Sequence, residues 1–266
     1  VEDAALALNA LAGYHPGDPY SIDDETDFLT SVQNSIEGKR IAYSLDFDVF
    51  PVESEIKSVI DTQVRAFEEA GAIVEPVTLG IKRSQQELSD LWCRLIIPRN
   101  IATLEAASAN GPDLLGEHRN DFPPEYLHWI EKGYKLSAVD FYKDQEIRTE
   151  IYDCIQQVFS RYDLLVTPTL ACLPVDNADD GNTIGPTQIN GEAVDPLIGW
   201  CLTYFINFTG HPAASIPAGL SANGLPIGMQ IIGRRYADSE VLAASAEYER
   251  LRPWQNIYQV CRNRTD

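Results

Sequence analysis

Apolar side chains recur at helical and strand periods along much of the chain. Over Glu53–Ala70 they fall at every third or fourth position, which predicts an amphipathic helix ending at Gly71. Short apolar runs at Arg40–Ser44 and Ala72–Leu79 flank this helix and predict two strands. A strand, a helix and a second strand in this order indicate a βαβ crossover, and therefore an α/β sheet.

The same periodicities predict elements on both sides of this unit. Residues 84–159 are expected to be mainly helical, apart from a loop at 111–124. The remaining predicted elements are helices over Asp3–Leu11 and Pro196–Phe208, strands over Leu164–Thr167, Ala213–Pro217 and Pro226–Gly233, and a last helix capped by Asp238. Residues 170–192 are rich in Pro, Gly, Asn and Asp, so they predict a long loop of the kind that often carries function.

The charge balance restricts the classes of partner. The 266 residues include 20 Lys and Arg against 40 Asp and Glu, which gives a formal net charge of −20. Such a surface repels phosphates and anionic lipids, so it excludes nucleic acid and anionic membranes as simple electrostatic partners. The acid excess and the scarcity of lysine fit a halophile's cytoplasmic protein and an acidic mesophilic enzyme equally well. The halophile hypothesis predicts that fold and activity persist in molar salt.

Cysteine and histidine usage argues against disulfide and metal frameworks. The five cysteines are widely spaced, odd in number and without a CxxC pair, which favours a reducing, cytoplasmic compartment. The four histidines show no HExxH spacing. The DNADDG segment at 176–181 places Ala178 at a ligand position of a calcium loop, so an ordinary polar loop is favoured. We expect no metal and no cofactor.

No complete catalytic group can be assembled from the motifs of the chain. The patterns GxGxxG, GxxxxGK[ST] and GxSxG are absent. His211 lies between Gly210 and Pro212, where a structural role at a helix-to-strand corner is favoured over a catalytic one. Ser215 lies within an apolar strand and is expected to be a hydrogen-bonded core hydroxyl.

Five segments nevertheless resemble, in order, the amidase signature family. They are VEDAALALNALAG at 1–13, GKRIAY at 38–43, YDLLVTPT at 162–169, NFTGHPAASIPAG at 207–219 and GLPIGMQIIG at 224–233. Each segment is weak alone, but together they are specific. The resemblance implies that residues 1–266 are the C-terminal portion of a single domain. The implied fold is α/β, the C-terminal part of an α/β/α sandwich with a central mixed β-sheet.

The family's chemistry uses a Ser nucleophile, a second Ser held in a cis peptide and a Lys base. The family places these residues before the helix with which this chain begins, and no matching Ser-Ser segment occurs here. The resemblance therefore assigns no catalytic residue to this chain, which alone is expected to be inactive. It implies a portion of an amidohydrolase that cleaves a carboxylic amide to acid and ammonia through a serine acyl-enzyme. The chain would supply half of the sheet and one wall of the substrate pocket.

The resemblance also implies residues of that pocket wall. The helix before the Gly-His-Pro corner lines the acyl channel in family members. The corresponding residues here are Leu197, Trp200, Cys201 and Tyr204, with Thr167 at a strand end. The broad face of Trp200 would favour an aromatic or bulky acyl group, with core packing of the ring as an equal alternative. Asp176 and Asp180 are weaker candidates in the long loop.

Two other functions remain open. The A subunit of glutamyl-tRNA amidotransferase resembles the same family, but it places an acidic residue that recognises glutamine where Trp200 stands, and Asp195 is out of register. A pseudoenzyme or binding module is disfavoured because an isolated half-sheet exposes apolar surface and strand edges.

The expected partners are a small-molecule amide, the preceding portion of the enzyme and, in a homodimer, a second copy. No nucleic acid is expected to bind directly, and no membrane is expected.

Overall fold

A five-stranded mixed sheet lies at the centre of the computed structural model, which describes residues 1–179 and 181–255. Its strands are β1 (Arg40–Tyr43), β2 (Ile73–Pro76), β3 (Leu164–Pro168), β6 (Ala213–Leu220) and β7 (Pro226–Gly233), in the spatial order β2-β1-β3-β7-β6. β1 is parallel to β2 and β3, whereas β7 is antiparallel to β3 and β6. The predicted α/β fold with a central mixed sheet is therefore confirmed.

Helices surround this sheet and fill the connections between its strands. They are α1 (Glu2–Leu11), α2 (Phe28–Ser31), α3 (Ser54–Gln63), α4 (Ala66–Glu69), α5 (Gln85–Ser108), α6 (Pro124–Gly133), α7 (Ala138–Phe159), α8 (Thr203–Asn207) and α9 (Asp238–Leu251), with a 3₁₀ turn at Arg119–Asp121. A two-stranded ribbon of β4 (Gln188–Ile189) and β5 (Glu192–Ala193) lies within the predicted long loop. In the described residues, no helix combines the length and apolar character needed to cross a membrane.

Both faces of the central strand β3 are covered, because all five of its residues are buried. α3 and α7 contact β3, and α9 contacts β7, which pairs with β3, and β6 beyond it. A strand that is buried on both faces reads as a continuous apolar run, which is the pattern of Leu164–Val166. The sheet is thus the middle layer of the structure.

The helix predicted over Glu53–Ala70 is interrupted. α3 ends at Gln63, and the N–H groups of Phe67 and Glu68 then donate to carbonyl groups three residues earlier, at Val64 and Arg65. This tighter hydrogen-bond pattern is typical of a 3₁₀ turn and separates α4 from α3. The βαβ crossover itself is confirmed by the parallel pairing of β1 with β2.

The helix predicted over Pro196–Phe208 is wrong in its first half. Asp195 Oδ1 accepts the N–H groups of Leu197 and Ile198, at 2.8 and 3.3 Å, and the N–H of Gly199 donates to the Asp195 carbonyl at 2.8 Å, so a single capped turn forms here. The turn does not continue as a helix, because Trp200 and Leu202 bond to the backbone that follows β3. Regular helix begins only at Thr203.

At the last helix, Ala237 occupies the cap position and Asp238 is the first helical residue, so the predicted cap is displaced by one position.

Candidate functional site

The predicted pocket segment lies against the carboxyl end of β3. Ala171 donates its N–H to the carbonyl of Trp200 at 2.9 Å, and Leu202 donates to the carbonyl of Thr169 at 3.2 Å. These strand-like bonds hold the segment that carries the predicted residues beside the strand that carries Thr167. Ligands of α/β proteins commonly bind at such strand ends.

Three of the predicted pocket residues are half-buried and retain accessible surface. Leu197 packs on the apolar cluster between α5 and α6, whereas Trp200 and Cys201 pack on the main core. Trp200 Nε1 donates to the carbonyl of Pro196 at 3.1 Å, which fixes one edge of the indole ring. The sulfur of Cys201 lies 3.0 Å from Thr203 Oγ1. These three side chains are partly accessible, and their contact with a substrate remains a prediction.

The other two predicted residues, Thr167 and Tyr204, are buried and bonded within the protein. Thr167 Oγ1 donates to the carbonyl of Pro168 and accepts from Gln230 Nε2, both at 3.1 Å. The Tyr204 hydroxyl lies 3.3 Å from Ser89 Oγ, and burial raises the pKa of Tyr204. Their role at a substrate site remains a prediction.

The long loop passes directly against the Trp200 ring at Gly185. The N–H of Gly185 donates to the Pro196 carbonyl at 2.8 Å, the same carbonyl that accepts from the indole. A Cβ atom at this position would overlap the indole ring of Trp200. Gly185 therefore permits a close approach that fixes the loop and the ring together.

Replacing Gly185 with alanine is expected to lower the free energy of unfolding by about 1–3 kcal/mol and to move the Trp200 ring, because the added methyl has no space. Thermal melting and tryptophan fluorescence would measure both effects. Gly219→Ala is the matched control, since a Cβ there would only reach ordinary contact with Val59 at 3.5 Å. Equal melting temperatures for the two variants would contradict the close approach.

A pair of hydroxyl groups lies beside the predicted wall, and the sequence analysis did not single it out as a site. Thr169 Oγ1 and Ser215 Oγ lie 2.8 Å apart, and the N–H of Thr169 donates to Gly228 at 3.0 Å. The expectation that Ser215 is a core hydroxyl is wrong, because β6 is an edge of the sheet and Ser215 is exposed there. The position of Thr169, directly after the Pro168 that ends β3, was the available signal.

His211 lies at the corner between α8 and β6, where a structural role was predicted, and is 6% exposed. Its Nδ1 lies 2.7 Å from Thr209 Oγ1, and its Nε2 lies 2.9 Å from Gln156 Nε2. The Gln156 amide can only donate to Nε2, so Nδ1 carries the proton of a neutral ring. Burial, with a smaller contribution from Arg235, lowers the pKa of His211 to about 4.

This neutral histidine predicts a loss of stability in mild acid. The unfolded chain, with an ordinary histidine pKa, takes up a proton at a higher pH than the folded chain does, so stability falls as the pH drops from about 6.5 to about 4. Between about pH 7.5 and about pH 5 the expected loss is about 2 kcal/mol. Urea unfolding at the two pH values would measure it. The dependence of the free energy of unfolding on pH should be weaker in His211→Asn and unchanged in the control His118→Asn. An undiminished pH dependence in His211→Asn would contradict the attribution of the stability loss to His211.

Three of the described thiols lack the character of a nucleophile. Burial raises the pKa of Cys93 to about 12 and that of Cys172 to about 11, and it also raises the pKa of Cys154. A reactive cysteine requires the opposite shift, because the thiolate is the attacking species. Cys261 lies outside the described residues.

The acidic candidates of the long loop add no site. Asp176 is exposed, and Asp180 lies outside the described residues. Within residues 1–179 and 181–255, no group of three His, Cys, Asp or Glu side chains is placed to hold a metal ion. The chemistry of the described site is therefore that of an apolar wall with two hydroxyl groups at a strand end.

Comparison with known proteins gives one consistent family. The family model described as Amidase matches residues 1–242. The chain is 29% identical to an acylamidase of Rhodococcus erythropolis over 96% of its own length. It is 31% identical to the A subunit of the glutamyl-tRNA(Gln) amidotransferase of Macrococcus caseolyticus over 97% of its length.

A solved structure resembles the whole chain more strongly. The crystal structure of a bacterial aryl acylamidase of the amidase signature family superposes on 100% of this chain with a TM-score of 0.96 and 49% identity. The match covers 54% of that protein, 51% of the Rhodococcus acylamidase and 55% of the Macrococcus protein. The chain thus spans about half the length of the relatives that it matches.

Proposed function

This chain belongs to the amidase signature family, and from that premise we propose that it is part of an amidohydrolase that cleaves carboxylic amides through a serine acyl-enzyme. The observation that carries the proposal is the likeness to the bacterial aryl acylamidase, at 49% identity over the whole chain. Solved structures at about 20% identity share only the fold with this chain. An identity of 49% indicates a closer relationship than a shared fold.

The proposed reaction divides the work between two portions of one enzyme. A serine hydroxyl from the portion that this chain lacks attacks the amide carbonyl, a base takes its proton, and the amine leaves with a proton. Water then releases the acid from the acyl-enzyme. The described chain contributes the sheet that supports this centre and a wall that positions the acyl group or the amine.

Trp200 is the residue of this wall that we propose to set substrate preference. Its ring is half-buried, is fixed by the bond to Pro196 and lies against Gly185, so it presents a rigid apolar face. Rigid aromatic surfaces bind flat substrates without losing side-chain freedom. Leu197 and Cys201 belong to the same segment and are also half-buried, so the segment offers further apolar surface, which supports a preference for aromatic amides.

Trp200→Ala in the complete protein tests this role. The ratio of kcat/KM for benzamide over acetamide is expected to fall about tenfold, because an apolar contact of this size discriminates at that level. Tyr236→Ala, which removes an aromatic side chain that is 69% exposed, is the control and should leave the ratio unchanged. An unchanged ratio in Trp200→Ala would remove Trp200 from the specificity wall.

The tRNA-linked amidotransferase is the second candidate, supported by the relative from Macrococcus caseolyticus at 31% identity. Against it, the nearest acid in the sequence, Asp195, is out of register with Trp200 and already accepts two backbone N–H groups. The net charge of −20 would also oppose contact with tRNA. Glutamine hydrolysis that requires partner proteins and tRNA would favour this second function over the first.

A further inference from the structure

A cavity of about 490 Å³ lies between α5, α6 and α7. Its apolar surface comes from Trp129 and Leu136. α5 is fixed at its start by a capping box of Ser84 and Glu87, and α7 by the cap of Ser137, so two of its walls are held on well-defined helices. Cavities of this size that combine an apolar wall with a few polar groups are typical of sites for small ligands.

Positive charge is concentrated in this cavity. Lys132, Lys135 and Lys143 line it together with Arg94, so half of the six lysines of the chain converge here. The rest of the sequence is strongly acidic, with 40 carboxylate side chains against 20 basic ones in the whole chain. Three carboxylates line the same cavity, so its wall has an excess of one positive charge in an otherwise acidic chain, which favours an anion there.

The carboxylates of the cavity are already engaged. Arg94 donates two bonds of 2.9 Å to Asp144, which is buried. Asp140 accepts from the Ser137 hydroxyl at 2.6 Å and lies 3.9 Å from the ammonium of Lys143. Asp90, the third carboxylate, accepts from Gln86 Nε2 at 3.0 Å.

Two lysines are left for a ligand. In the described residues, neither Lys132 nor Lys135 forms an ion pair. The Lys132 ammonium lies 4.1 Å from the centroid of the Trp129 ring, where a cation is attracted to the face of the indole. An anion in the cavity would therefore meet two ammonium groups and an aromatic wall together.

We propose that this cavity binds a small organic monoanion, a carboxylate with an aromatic or apolar body. The four cations and three carboxylates leave one positive charge, which a monoanion neutralises. A dianion such as phosphate would exceed that charge and would meet Asp90 and Asp140. Trp129 and Leu136 provide the surface for the apolar body of the ligand.

Isothermal titration of the complete protein with benzoate, at low salt, tests the proposal. We expect saturable binding that weakens about threefold in Lys132→Gln and in Lys135→Gln, and about tenfold in the double variant. Lys82→Gln removes the same charge from an exposed lysine elsewhere and should leave the affinity unchanged. Lys82, Lys132 and Lys135 are exposed, so the melting temperatures of the variants should stay within about 2 °C of that of the unchanged protein. Such values would exclude misfolding of the variants.

One neutral and one inorganic probe complete the titration. Benzyl alcohol, which has the ring without the charge, and inorganic phosphate, which has charge without the ring, should each bind more weakly than benzoate. Benzoate affinity that is equal in the double variant and the unchanged protein would overturn the proposal, since benzoate would then occupy another place. Equal affinity for benzyl alcohol or for phosphate would overturn it as well. Benzoate is also the acid that hydrolysis of benzamide would release, so binding is assigned to this cavity only by the change that the Lys132 and Lys135 variants cause, and that change does not depend on the proposed function.

Discussion

Phe205→Ala is expected to lower the free energy of unfolding by about 3–5 kcal/mol, because the side chain is completely buried and leaves a cavity. Its ring centroid lies 4.7 Å from that of Phe47, 5.9 Å from Phe50 and 6.0 Å from Phe208. This aromatic cluster joins the segment after β1 to α8. The neighbouring Tyr204 lies on the same short helix, so the loss should also loosen the proposed pocket wall.

Urea unfolding of the complete protein would measure this effect, with Phe205→Leu as the matched control. Leucine keeps most of the volume and should cost less than about 1.5 kcal/mol. A loss below about 1 kcal/mol in Phe205→Ala would mean that the cluster collapses around the missing ring or is not packed as described.

The second large effect is expected at the ion pair between α5 and α7. Arg94→Met should lower the free energy of unfolding by about 3–5 kcal/mol, because it leaves the carboxylate of Asp144 buried without its partner. The pair also raises the pKa of Arg94, in agreement with the two charge-assisted bonds. Chemical denaturation at neutral pH is the measurement.

Two further variants separate the buried charge from simple loss of packing. The double variant Arg94→Met with Asp144→Leu removes both charges and should recover most of the lost stability, because paired apolar side chains often replace a buried ion pair without cost. Arg119→Met breaks an exposed pair with Glu131 and should change stability by no more than about 1 kcal/mol. A double variant as unstable as Arg94→Met alone would contradict the electrostatic explanation.

The five strands of the central sheet were predictable because each is a short apolar run bounded by turn residues. β7 begins at Pro226 and ends at Gly233, as predicted, and β3 differs from its prediction only by including Pro168. The parallel pairing of β1 and β2 also followed from local order, since a helix between two strands returns the chain in the same direction. The resemblance to the amidase signature family, confirmed by the family match, supplied the mixed character of the sheet.

The errors occurred where distant contacts override local periodicity. Residues 196–202 have a helical pattern, but Trp200 and Leu202 bond to the backbone after β3, about 30 residues earlier, which a local pattern does not contain. One local signal was overlooked: Asn190-Gly191 is a typical two-residue hairpin turn. Both residues have positive φ, at 52° and 81°, as such a turn requires.

The proximity of the predicted pocket residues to one another was predictable, but their exposure was not. The resemblance placed the pocket wall at 197–204 and at Thr167, and the structure brings these residues to one end of β3. The sequence could not show that Tyr204 and Thr167 are buried, nor that Ser215 is exposed, because burial depends on which strand forms the edge of the sheet. The cationic cavity was also hidden, since its lysines come from two helices and the turn between them.

The central claim is that this chain is part of a serine amidohydrolase, and trapping the acyl group tests it most directly. The complete protein would react with an aromatic anilide in the absence of tRNA, and the reaction would be stopped with acid during turnover. The protein would then be analysed by peptide mass spectrometry. The account predicts an acyl adduct on a serine outside residues 1–266, together with release of the aniline. An acyl group on a residue of this chain, or no turnover of any anilide, would contradict it.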